Sequence, residues 1–286
     1  MGLSCDWHIH TAASCDEACM PIAHLIGLAE ARGILDYGVT DHVHTPYNLP
    51  DLAASRQAFL AVKPSPRFHF GVEVSCVSQW ELDEIATGNF ERPVYGVRQG
   101  GPAWGALAIG LTEVNLRTFA VEYVIGGAHW PMYVPLEREA IIRDYHRQNM
   151  FLATHALVTI VAHPWWWMGH WQGADGMYRA EPWFDDFGVI PRVMHDEFAA
   201  AVVEHGKVVE INIGAMLLNR EYPEHFKRAY LEYLAALQMR GVRLAIGSDC
   251  HDARYAIDFE GAAEMLSTVG IRDEDLWRLA PRSTLP

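Results

Sequence analysis

Long apolar runs are missing from this sequence. None approaches the roughly 18 to 20 residues that a helix needs to cross a bilayer, so a membrane-spanning protein is not expected. Positive charge is scarce as well: 22 Lys and Arg stand against 36 Asp and Glu, a formal net charge of −14 with histidine neutral. A chain so acidic offers nothing in bulk to offset phosphate repulsion, which argues against long nucleic acid or an anionic membrane as partner. Cysteine is sparse and odd in number, at Cys5, Cys15, Cys19, Cys76 and Cys250. No spacing among them reads as a disulfide framework or a zinc ribbon, so reduced thiols in a cytoplasmic protein are expected. The opening residues MGLSCDWHIH carry no basic and apolar leader pattern, and Asp6 stands where a myristoylation signal has Ser or Thr. No linker-like run, charge block or internal repeat divides the chain, so one domain over 1–286 is expected.

Apolar residues, by contrast, make up 50% of the chain and charged residues 20%, a composition that can offset the entropy of ordering a packed core. Fifteen histidines and ten tryptophans stand out. Short apolar runs alternate with helical periodicity from the start: LSCDWHIH, then PIAHLIGLAEARG, then LDYGVTDH, the grammar of βαβ units. Pro21 suits the start of the first helix, Ile22, Leu25, Ile26 and Ala29 form its apolar face, and Gly33 stops it. The runs RFHFGVEVS, EYVIGGAHW, LVTIVAHP, KVVEINIG and VRLAIGSD continue the alternation, with helical stretches at about 136–153, 190–206 and 221–240. Two segments break the rhythm, a glycine-rich one at 88–111 and a Trp-rich one at about 164–188, read as an insertion loop.

Where each apolar run stops, a His, Asp or Glu follows. His8 and His10 lie two apart, so on an extended chain both imidazoles face one side, and Asp249 and His251 repeat the spacing. His42 follows VTD, Glu73 sits in GVEVS, His129 follows VIGGA, His163 follows TIVA, and Asp16 lies just beyond the first strand. In a parallel α/β barrel the C-terminal strand ends converge on one mouth, where such folds place their sites. A set of imidazoles and carboxylates this dense suits borderline divalent cations, not calcium, and Glu73 could bridge two of them. Singly, each residue has a plainer reading: His163 as a satisfied surface or cap residue, Asp249 and Asp16 as helix caps.

The ordered set HIHT at 8–11, Asp16, TDH at 40–42, GVEVS at 71–75, VIGGAH at 124–129, VAHP at 161–164, EIN at 210–212 and GSDCH at 247–251 resembles the PHP superfamily, named for polymerase and histidinol phosphatase. The likeness spans residues 8 to 251 and lies nearest the histidinol-phosphatase-like branch. It implies a distorted (β/α)7 barrel, TIM-like, with two or three divalent ions of Zn, Mn or Fe at the C-terminal mouth. Carried over by position, His8, His10, Glu73 and Asp249 would hold one ion, Glu73, His129 and His163 a second, and Asp16, His42 and His251 a third.

The activity so implied is hydrolysis of a small phosphate monoester by attack of metal-bound hydroxide on phosphorus, with Glu73 and Asp249 at the catalytic centre. Arg254, three residues after His251, is a candidate for meeting phosphate charge, though it reads equally as a solvated helix-start arginine. Asn212 could orient substrate or complete a turn. Trp165 and Trp166 could pack on a leaving group, or belong to a lid core or a subunit contact; His170 in the same loop could act as general acid. The same metals could cut a small phosphodiester, carboxylic ester, carbamate or amide, and a non-catalytic metal-binding module is a further alternative. A homo-oligomer is left open.

Overall fold

The computed structural model describes residues 2–88, 90–97, 99–167, 183 and 186–282. Seven strands form a parallel path: β1 (Cys5–Asp6), β2 (Asp36–Val39), β4 (Phe68–Ser78), β6 (Tyr123–Gly127), β7 (Ile160–Ala162), β8 (Val208–Asn212) and β9 (Arg243–Gly247). The short β3 (His42–Val43) pairs parallel to β4, and β5 (Leu107–Ile109) pairs antiparallel to its far end. The chain beyond β1 closes the path. Trp7 N donates to Ile246 O at 2.9 Å, Asp249 N to His8 O at 2.8 Å and His10 N to Cys250 O at 3.0 Å, with Ile9 bridging Cys250. The result is the nearly closed, distorted TIM-like barrel expected from the sequence.

The crossover helices are α1 (Ile22–Ala31), α2 (Leu49–Ala61), α3 (Gln79–Ala86), α4 (Glu113–Phe119), α5 (Arg138–Thr154), α6 (Arg192–Glu204), α7 (Glu224–Met239) and α8 (Phe259–Ser267). Helices α1, α5, α6 and α7 match the predicted stretches to within a few residues. Helices α3 and α4 are too short to show a helical period, and each is set by a capping box: Ser78 with Glu81, and Thr112 with Asn115. Segment 88–106 is irregular where described, and the rhythm resumes only at β5. No helix among the described residues is long and apolar enough to cross a membrane.

Large rings fill the barrel because small residues leave room for them. A Cβ on Gly71 would lie 2.5 Å from Tyr123 Cζ, so glycine there lets the Tyr123 ring cross the interior, where its hydroxyl donates to Trp7 O at 2.8 Å. Trp7 is 1% exposed and packs on Tyr123 and Trp277. The last stretch seals the opposite end: Trp277 N donates to Leu244 O, and Arg282 donates to the carbonyls of Ser65 and Phe68. With its floor filled by apolar rings, the barrel gathers its imidazoles and carboxylates toward the C-terminal side of the strands.

Candidate metal centre and its cavity

The alternation along 7–10 buries Trp7 and Ile9 on one side and turns His8 and His10 to the other, where their Nε2 atoms meet at 3.0 Å. Parallel register then brings the other strand ends alongside. His42 of β3 pairs with Glu73 of β4, and Ser75 of β4 lies beside Gly127 of β6, two residues before His129. His163 follows β7, and Asp249 lies two residues after β9.

Glu73 stands at the centre, 1% exposed, with its two oxygens divided between two sets of imidazoles. Oε2 lies 3.0 Å from His8 Nε2, 3.0 Å from His42 Nδ1 and 3.4 Å from His10 Nε2. Oε1 lies 3.1 Å from His129 Nε2 and 3.2 Å from His163 Nε2. Asp249 Oδ1 is 3.2 Å from His10 Nε2 and 3.5 Å from His8 Nε2. Asp16 Oδ2 is 2.7 Å from His251 Nε2 and 3.3 Å from His42 Nε2. All nine residues predicted as ligands therefore converge. Their grouping differs in detail from the prediction: His10 stands with both the Asp249 pair and the Asp16, His42 and His251 group, and His42 also joins Glu73 and His129.

The donor chemistry fits a cation. Glu210 Oε1 lies 2.6 Å from His8 Nδ1, which places the proton of a neutral His8 on Nδ1 and leaves a lone pair on Nε2. That lone pair faces Glu73 Oε2, Asp249 Oδ1 and the ring nitrogen of His10. Acceptors so arranged repel unless a positive charge lies among them. In the metal-free protein protons supply part of that charge. Burial lowers the His8 pKa, but Glu210, Glu73 and Asp249 outweigh it and hold it well above the ordinary range. Burial likewise opposes the shift of His42, which Glu73 and Asp16 raise to about 10. Burial would raise the carboxyl of Glu73, yet His8, His42 and His129 hold it well below the usual range. Divalent cations would replace these protons, so uptake releases them.

A supporting shell fixes the ligands. Glu210, 1% exposed, also accepts from His163 N at 2.8 Å and from Asn212 Nδ2 at 3.1 Å. Asn212 donates to Asp249 Oδ2 at 3.1 Å as well. Ser75 Oγ lies 2.9 Å from His129 Nδ1, and Asp41 accepts from Thr11 N and Oγ1, locking the turn after His10. His163 and Asp249 adopt φ of +26° and +56°, values costly for residues with a Cβ. The bonds from His163 N to Glu210 and from Asp249 N to His8 O hold those turns.

Glu210 and Asp41 are absent from the sequence-based set. Their signal was available, since a carboxylate interrupting KVVEINIG faces the same side as Asn212, two residues on.

Space around the cluster is tight at Gly127. A Cβ there would lie 2.8 Å from His163 Cε1, 2.9 Å from His129 Cε1 and 3.1 Å from Glu73 Oε1. Gly127→Ala should therefore lower kcat about tenfold or more while the fold persists, because displaced ligands misplace the reacting groups. Unchanged kcat and metal content in that variant would show the rings have slack.

Three residues take the alternative reading that the sequence left open. Arg254 does not line the cavity above the cluster; its side chain is 80% exposed and its guanidinium is paired with Asp252 at 2.5 Å. Trp165 is 1% exposed and packs on Trp183 and His195, because φ of +70° turns it into the core. Asn212 is fully buried, with its amide committed to Glu210, Asp249 and Ala215 N, so it positions residues and completes the turn after its strand. Trp166 does line the cavity, its ring 4.7 Å from that of His163. His170 and most of the Trp-rich loop lie outside the described residues.

The cavity above the cluster measures about 1260 Å³, several times the space a phosphate group needs. Its far walls include His44, Arg92, Tyr95, Trp130 and Trp166.

No family model matches the chain. Among curated proteins, a "probable phosphatase" of Shewanella frigidimarina is 26% identical over 98% of this chain and 90% of its own length. A "probable phosphatase YcdX" of Escherichia coli is 25% identical over 98% of this chain and 91% of its own length. Among solved structures, the histidinol phosphate phosphatase HISK of Lactococcus lactis, complexed with zinc, L-histidinol and phosphate, superposes with a TM-score of 0.60 at 16% identity, covering 94% of each chain. In its barrel and the order of its strand-end motifs the chain resembles the PHP superfamily, and it is similar to these phosphatases over nearly its whole length.

Proposed function

We propose that the protein is a metal-dependent phosphomonoesterase acting on a small phosphate ester. The observation that carries this reading is the divided carboxylate of Glu73, with one oxygen facing His8, His10 and His42 and the other facing His129 and His163, at the floor of a cavity large enough for an ester. The relatives' phosphatase names support the same reading.

His8, His10, Glu73 and Asp249 would hold one cation, Glu73 with His129 and His163 a second, and Asp16, His42 and His251 a third, with His10 between the first and last groups. Such ions, of Zn, Mn or Fe, supply Lewis acidity toward phosphoryl oxygens and lower the pKa of water near the phosphorus. The chain's own residues set the geometry. Glu210 keeps the His8 lone pair aimed inward, Asn212 holds Asp249, and Ser75 holds His129. Trp130 and Trp166 stand beside His129, their ring centres 5.4 and 5.8 Å from its own, and shield that flank from bulk water.

The test is phosphate release from a panel of phosphomonoesters by protein stripped with chelator and then reloaded with Mn or Zn. Release should vanish on stripping and return on reloading. Full activity in metal-free protein, or no release from any phosphomonoester, overturns the reading.

A further inference from the structure

The candidate metal ligands lie at the floor of the cavity, and its walls carry further chemistry. Among the described residues three carboxylates line the cavity, Asp16, Glu73 and Asp249, and each is committed to the imidazoles: Asp16 to His42 and His251, Glu73 to both histidine sets, Asp249 to His8 and His10. None of these three is left for a cationic leaving group. Among the described lining residues the one Lys or Arg is Arg92. No ion pair joins its guanidinium to a described carboxylate, in contrast to Arg254 and Arg147, which are paired with Asp252 and Asp144.

Arg92 is also costly where it stands. Its φ is +51°, a region that glycine enters freely and that is unfavourable for a residue with a Cβ. The segment that carries it is anchored to the metal side of the cavity: Thr45 Oγ1 donates to Pro93 O at 3.2 Å, and Val97 N to Glu81 Oε1 at 2.8 Å. Rings lead outward from the cluster, from His42 to His44 at 4.4 Å between centres and on to Tyr95 at 5.3 Å. Trp130 lies 5.8 Å from His44, so aromatic faces flank the route between the metal ligands and Arg92. A planar or apolar body fits such walls, and a guanidinium pairs in a forked geometry with a carboxylate or a second phosphate.

We infer that Arg92 is a specificity-determining residue that selects phosphomonoesters whose leaving group carries an anionic group on a planar or apolar body. The inference rests on the phosphomonoesterase reading for the position of the ester, and it separates this chain from its Lactococcus relative, whose bound L-histidinol carries an amine.

The experiment uses the Mn-loaded full chain and three esters that differ only in the para substituent: phenyl phosphate, para-carboxyphenyl phosphate and para-aminomethylphenyl phosphate. The corresponding phenols are titrated in parallel by calorimetry, which needs no turnover. Wild type should favour the carboxylate over the amine by about tenfold in kcat/KM and in phenol affinity, the order of one charge-assisted pair. Arg92→Gln should erase that preference through KM, with its largest loss on the para-carboxy ester; Arg92→Lys should keep part of it. Comparing variants on the same ester cancels differences in leaving-group acidity.

Equal losses on all three esters would place Arg92 on the transferred phosphate and overturn the inference, as would no change at all. If no ester is cleaved but the carboxylated phenol still binds more tightly through Arg92, the phosphatase reading fails and the specificity assignment stands. Absence of both turnover and Arg92-dependent binding overturns the assignment too.

Discussion

Glu73→Gln should lower phosphate release about a thousandfold and cost the protein at least part of its metal. The carboxylate has both oxygens in use, toward His8, His10 and His42 on one side and toward His129 and His163 on the other. Glutamine matches its shape but offers one acceptor, and its amide points N–H donors where imidazole lone pairs or a cation belong. Weakened bridging forfeits several kcal/mol of charge stabilisation, and each ~1.4 kcal/mol is tenfold in rate. Turnover should be measured beside metal content by mass spectrometry and a thermal melt of the apo form. Retained metal stoichiometry with near-normal kcat would rule out a central bridging role.

The second large effect is expected at a residue that no family motif position led us to name as a ligand. Glu210 is buried and serves three donors at once: His8 Nδ1 at 2.6 Å, His163 N at 2.8 Å and Asn212 Nδ2 at 3.1 Å. Glu210→Gln leaves at least one of those donors facing an amide N–H, a buried mismatch that costs about 1–3 kcal/mol. His8 then loses the partner that sets its tautomer, and through Asn212 the orientation of Asp249 loosens as well. Metal affinity should drop about 10- to 100-fold, as supporting-shell losses do. High metal concentration should restore part of kcat. A purely structural role would lower the melting temperature without moving the metal titration or the imidazole nitrogen shifts of His8, so those two readouts decide the matter.

These two residues mark the boundary of what could be read in advance. Glu73 was accessible because it interrupts the apolar run GVEVS with a carboxylate, one of a series of such residues along the strands of the chain. Glu210 also sits inside its strand, two residues before Asn212 ends it, and its role shows only in the bonds it accepts from His8, His163 and Asn212. The turns after strands were less readable still. Trp165 and Trp166 are neighbours, yet one joins the core and the other lines the cavity, because the left-handed backbone at His163 and Trp165 redirects the chain. Arg254 stands near His251 in sequence, but Asp252 two residues away captures its guanidinium at the surface.

By itself the sequence determined the barrel class and the composition of the metal-site ligand set. Period-two alternation and βαβ order are local, and they repeat at every strand end from His8 to His251. Tertiary structure alone decided which of Glu73's oxygens meets which histidines, that Glu210 and Asn212 support the cluster from behind, and that Arg92 lines the cavity. Those outcomes depend on register between strands distant in sequence and on backbone turns without a period, and no local pattern encodes either.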